Sequence, residues 1–298
     1  LKFETYPSSK PTLSGAHMLY SNNNSHHHFL HHSFCPLNPL LSKTLSDHNF
    51  TDPTMRKTVI TCKLTGKTGQ PVKAHVVPRA FYELPTQEEG PCVLASNAPN
   101  SFPKRAPVGV YDESMVTQQG EDLFRLWDDY AAQLLLQNEN AFAPIIHHGV
   151  IHEWTLSEYD YSLLKLFSLS VLWRAHTSCR PEFKRVQLGP HALQVKNCLL
   201  NNNPGTPDYY SIHIGKWIDD EFGPVFMDPF SERYEGVNYY RIYCGRYILY
   251  SKVDKRPPPE TFRQIQLGQT KVLHVIGRDL KASKEWLLMQ RIARHNAR

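Results

Sequence analysis

The chain has 298 residues, 41% of them hydrophobic and 11% aromatic, enough for one large domain or two modest ones with a sizeable core. A net charge of +5 suits a nucleic-acid partner without requiring one. No run of about 18 apolar residues and no charged-then-apolar leader is present, so neither a membrane span nor a secretory signal is expected. The six cysteines, at 35, 62, 92, 179, 198 and 244, form no close pair, which points to a reducing compartment and a cytoplasmic protein.

Residues 1–54 differ from everything after them. They hold seven of the sixteen histidines, including His26, His27, His28, His31 and His32, with many Ser and Asn and no sustained period. This segment is expected to be a disordered or mis-assigned extension, with translation starting at Met55; a histidine-rich metal-binding arm is the other reading. From Thr58 the pattern becomes regular. Thr58–Leu64 and Val72–Val77 predict a hairpin around Gly66 and Gly69, and Pro78 ends it ahead of a short helical turn over Arg79–Leu84. A proline-rich loop spans 85–107 and carries Lys104 and Arg105. Leu123, Phe124, Trp127, Tyr130, Ala131, Leu134 and Leu135 recur at helical spacing and predict a helix over Gln119–Gln137.

Ala143–Trp154 predicts a hairpin turning at His147-His148-Gly149, whose histidines are expected to face solvent; a metal site with His152 is the other reading. Ser157–Thr177 is apolar nearly all round and predicts a buried central helix. A short basic turn follows at Arg180–Arg185, then a helix over His191–Leu200. After the break at Asn201–Gly205 the period becomes that of strands. These are expected at Tyr209–Ile218, Asn238–Tyr243, Tyr247–Val253 and Lys271–Ile276, with a terminal amphipathic helix over Leu280–Arg294. The carboxylates of Asp128, Asp129 and Asp219 to Glu221 read as solvated faces.

The motifs that carry chemistry lie between Cys62 and Glu121: Cys62-Lys63-Leu64-Thr65, then Lys73-Ala74-His75-Val76-Val77-Pro78, then Asp112, then Thr117-Gln118-Gln119-Gly120-Glu121. This order resembles the HNH (ββα-metal, treble-clef) endonuclease layout. There a Cys-x2-Cys precedes a hairpin carrying His-x2-Pro, and a second Cys-x2-Cys is followed by a helical His. The wider stretch from Met55 to about Asp279 also resembles uncharacterised bacterial proteins that join such a motif to a helical and β-rich remainder, through Lys73–Arg79, Val108–Asp112 and Phe183–Gly189.

The resemblance implies His75 as the general base that activates water, work that suits an imidazole neutral at pH 7. It places Glu121 at a metal-ligand position, fit for Mg²⁺ or Mn²⁺, with Asp112 at the place of the middle Asn. Arg79, Lys104 and Arg105 are the implied nucleic-acid contacts. Of the four zinc positions only Cys62 keeps a thiol; Thr65, Thr117 and Gly120 fill the others, so no structural zinc is expected. Ala74 stands where nucleases offer an acidic or His ligand. Packing of Phe81 and Tyr82 against Phe124 and Trp127 is expected to hold the junction instead.

The expectation is therefore an α+β protein: a degenerate treble-clef module over 55–137, followed by a helical and antiparallel β-rich body over 138–298. It would hydrolyse phosphodiester bonds in DNA or RNA with a divalent ion, or bind nucleic acid or protein without cutting.

Overall fold

The computed structural model describes residues 58–82, 93–96, 103–106, 108–218 and 225–296. The histidine-rich segment 1–54, most of the proline-rich loop and Asp219 to Glu221 lie outside the described residues. The fold is α+β.

The N-terminal part consists of short paired segments around one long helix. Strand β1 (Ile60–Thr61) pairs with β2 (Thr68–Gly69), and β3 (Ala74–His75) pairs antiparallel with the distant β6 (Tyr111–Asp112). The single hairpin expected over 58–77 is thus two ladders, because the second strand finds its partner beyond the proline-rich loop. Between them lie β4 (Val93–Ala95) and β5 (Lys104–Arg105). A 3-10 turn over Arg79–Tyr82 follows Pro78, and helix α1 (Gln118–Ala132) runs on through a π-helical turn over Gln133–Gln137. The stacking expected within this part differs: Phe81 stacks on Phe167 with centroids 5.5 Å apart and Tyr82 on Phe226 at 4.3 Å, while Phe124 meets Trp127 and Trp173.

Next come β7 (Ala143–His147), β8 (Val150–Leu156), α2 (Tyr161–Thr177), α3 (His191–Leu200), β9 (Ile212–Trp217), β10 (Phe226–Met227), β11 (Phe230–Tyr234), β12 (Val237–Cys244), β13 (Tyr247–Lys252), α4 (Glu260–Arg263), β14 (Leu273–Arg278) and α5 (Lys284–Asn296). The β7–β8 turn uses positive φ at both His148 (51°) and Gly149 (78°), which matches the twist of the flanking strands. Helix α2 starts at Asp160, whose side chain accepts the Leu163 N–H at 2.9 Å and satisfies an orphan donor of the first turn.

Seven strands form one sheet in the order β11-β12-β13-β9-β14-β8-β7, all antiparallel except β9–β14. Every residue of β9 and β13 is buried, as strands covered on both faces require. Ile212, Ile214, Ile242 and Leu249 join the core built by α1, α2 and α3. Tyr239, Tyr243, Ile248 and Tyr250 face the other way, into a cluster with Trp286, Leu288 and Met289 of α5. The first cluster runs without a break from Cys62 to Val275, so the short N-terminal ladders and the large sheet share one core. No helix among the described residues is long and apolar enough to cross a membrane.

Candidate functional site

His75 ends β3, and its register opposite Tyr111 fixes where its side chain stands. The ring Nε2–H donates to the Val108 carbonyl at 2.7 Å. A carbonyl only accepts, so this bond sets the tautomer and leaves Nδ1 as the basic nitrogen. Burial lowers the imidazole pKa below its ordinary value of 6.5; the Arg174 and Arg79 guanidinium groups add to this and the Val108 bond opposes it. The ring is therefore neutral at pH 7, the state a general base needs.

His75 lines a cleft of about 260 Å³ together with Arg79, Glu121, Arg125, Asp128 and Asp129. The 3-10 turn after Pro78 brings Arg79 to it, and α1 supplies the four others. Glu121 lies in the first turn of α1, and its Oε2 is buried without a hydrogen-bond partner. Burial pushes its carboxyl up; Asp128 and Asp122 add to that, and Arg174 and Arg125 oppose it. A buried carboxylate oxygen left unsatisfied beside an open cleft has capacity for a proton or a cation.

Sequence reasoning missed the residue that joins the two walls. Arg174, wholly buried on α2, donates from Nη1 to the His75 backbone carbonyl at 2.9 Å and to Asp128 Oδ2 at 2.9 Å. Its Nη2 donates to Asp128 Oδ1 at 2.7 Å and to Ser170 Oγ at 2.9 Å, and the guanidinium lies 4.7 Å from the Phe124 ring centroid. Asp128 is thus one half of a two-pronged ion pair, not the solvated charge expected. Burial pushes its carboxyl up and the two Arg174 bonds oppose that. An arginine inside a mostly apolar helix, near Ser168 and Ser170, was the available signal.

Asp112 does not line the cleft. Its Oδ1 accepts from the Ser114 N–H and hydroxyl at 2.8 and 2.7 Å, and its Oδ2 accepts from the Ser178 hydroxyl and the Cys179 N–H at 2.8 and 2.6 Å. Four donors occupy both oxygens and tie the turn after β6 to the end of α2. Burial raises the Asp112 carboxyl, the bonds from Ser114, Cys179 and Ser178 outweigh it, and the group lies below the usual carboxylate range.

The four positions that the resemblance equates with zinc ligands lie close together. The Cys62 Sγ accepts the Thr65 N–H at 3.4 Å, and a Cβ placed on Gly120 would lie 2.7 Å from that sulfur. Burial raises the Cys62 thiol, but hydrogen bonds from Thr65, Thr117 and Leu64 outweigh it and hold the thiol below its ordinary value. These residues form a polar knuckle, and one thiol with two hydroxyls is not a zinc donor set. Of the implied nucleic-acid contacts, Arg79 lines the cleft, whereas Lys104 and Arg105 are exposed on β5.

For a divalent ion the donors are few. Among the described residues no group of three or more His, Cys, Asp or Glu is arranged to hold one. Glu121 fits such an ion in one way: Mg²⁺ binds through one or two carboxylates with substrate phosphate and water filling its other positions. Comparison with protein families, with curated proteins and with solved structures finds no match to this chain.

Proposed function

We propose that this cleft hydrolyses phosphodiester bonds in nucleic acid. The observation that carries the reading is the tautomer-fixed, neutral His75 sharing a cleft with the Glu121 carboxyl, whose buried Oε2 has no hydrogen-bond partner, and the guanidinium of Arg79. In this reading His75 Nδ1 takes a proton from the attacking water. Arg79 and Arg125 attract the phosphate, and Arg174 holds the backbone of His75 against α1. Glu121 would hold Mg²⁺ or Mn²⁺ jointly with the phosphate, and the ion would supply charge neutralisation at the phosphoryl oxygens.

The test is cleavage of plasmid DNA and of a structured RNA with Mg²⁺ or Mn²⁺ present. His75→Ala is expected to lose about a hundredfold or more in rate, the usual contribution of a positioned base. Glu121→Gln is expected to lose comparably and to raise the Mn²⁺ concentration needed for half-maximal rate. Equal rates in wild type and His75→Ala overturn the reading. The pH profile supplies a further check. A base with lowered pKa must be unprotonated, so activity is expected to rise through a midpoint below 6.5 and stay level above it.

A second reading, a module that binds nucleic acid without cutting it, is favoured by Asp112, whose oxygens are both committed to structural hydrogen bonds. In that case binding survives in every variant and no divalent ion promotes cleavage.

A further inference from the structure

The β3–β6 ladder puts a second recognition element beside His75. Because His75 pairs directly with Tyr111, the two side chains stand on one face of the ribbon, with ring centroids 5.9 Å apart and planes tilted by 60°. Lys73, two residues before His75, comes to the same side and sets its Nζ 5.3 Å from the Tyr111 ring centroid. Tyr111 is half-buried and Lys73 exposed. A half-exposed aromatic ring with an ammonium over it and a neutral imidazole beside it has no role in the core; Tyr111 belongs to neither buried cluster.

Resting on the cleavage reading above, we propose that this ribbon face, which meets the cleft at His75, takes single-stranded nucleic acid, with one base stacked on Tyr111 and Lys73 on an adjoining phosphate. A duplex keeps its bases stacked on one another and offers grooves and phosphates, so it would leave the Tyr111 ring unused. A single strand offers π-faces of any sequence, and pairing them with aromatic rings in a cationic groove is the general way such strands are held.

The test is fluorescence anisotropy on the full chain with EDTA present, so that no ion-dependent cleavage intervenes. The probes are a fluorescein-labelled oligothymidylate, the matching oligouridylate and a duplex of the same length. Either single strand is expected to bind about tenfold or more tightly than the duplex, with Tyr111→Ala losing about tenfold and Tyr111→Phe keeping wild-type affinity. Lys73→Gln, at an exposed position, is expected to weaken binding and flatten its salt dependence by about one counterion; it decides the matter if Tyr111→Ala fails to fold.

Duplex binding as tight as single-strand binding, wild-type affinity in a folded Tyr111→Ala, or no binding at all overturns the proposal. The two claims fail separately. His75→Ala that still cuts, together with Tyr111→Ala that no longer binds, removes the catalytic reading and keeps this one. The converse pair of results removes only this one.

Discussion

Arg174 is the residue on which the site turns. Its five donors are spent on Asp128, Ser170 and the His75 carbonyl, so losing it strands a mostly buried carboxylate. Arg174→Met is expected to destabilise the protein by about 3–5 kcal/mol, read from urea unfolding. Arg174→Lys keeps the charge but not the fork, and is expected to fold with partial stability and a reduced cleavage rate. His75 and Glu121, which share the cleft, could be singled out as candidates in the sequence because chemistry-bearing residues stand at motif spacing. Arg174 and Asp128 were not, because their meaning lies in a contact 46 residues apart along the chain, between two helices each read alone as amphipathic or apolar. Asp112 illustrates the opposite limit: its position in the motif is visible, whereas two of its four hydrogen bonds come from Ser178 and Cys179, far along the chain.

At the scale of elements, the N-terminus of α1 sits tight against the Cys62 knuckle. A methyl group on Gly120 would meet the Cys62 sulfur at 2.7 Å and the Val116 Cβ at 3.0 Å. Gly120→Ala is expected to cost about 1–3 kcal/mol, and Cys62→Ala in the same chain to recover part of that loss, giving a favourable coupling in a double-mutant cycle. The longer elements were readable from period alone: α2, α3 and the β12–β13 hairpin lie within a few residues of their expected positions. Strand β11 escaped because a charged residue hides its period. Glu232 faces Arg241 at 3.0 Å and Lys284 at 2.5 Å, so an ion pair fills the place of an apolar side chain. The first ladder was mispaired because nothing local tells β3 that its partner is β6.

For the molecule as a whole, acid is the condition to watch. His213, buried on β9, donates from Nε2 to the Phe262 carbonyl at 2.9 Å, while its Nδ1 has no partner. Burial pushes its pKa down to about 4, with Lys252 adding and the Phe262 bond opposing. Between pH 6.5 and about 4 the unfolded chain holds a proton there and the folded protein does not. Stability is therefore full above pH 6.5 and falls toward pH 4, by about 3 kcal/mol at roughly 1.4 kcal/mol per pH unit. His213→Phe is expected to flatten that part of the curve, as measured by urea midpoints at neutral and acid pH. The Arg174 clamp carries a different consequence, one of inheritance. A gene segment encoding only 55–137 would carry His75 and Glu121 but leave behind both the guanidinium that ties the His75 backbone to Asp128 of α1 and Phe167, on which Phe81 stacks. Such a cassette could not be shuffled into a new host protein and keep its geometry; recombination would have to move the central helix with it.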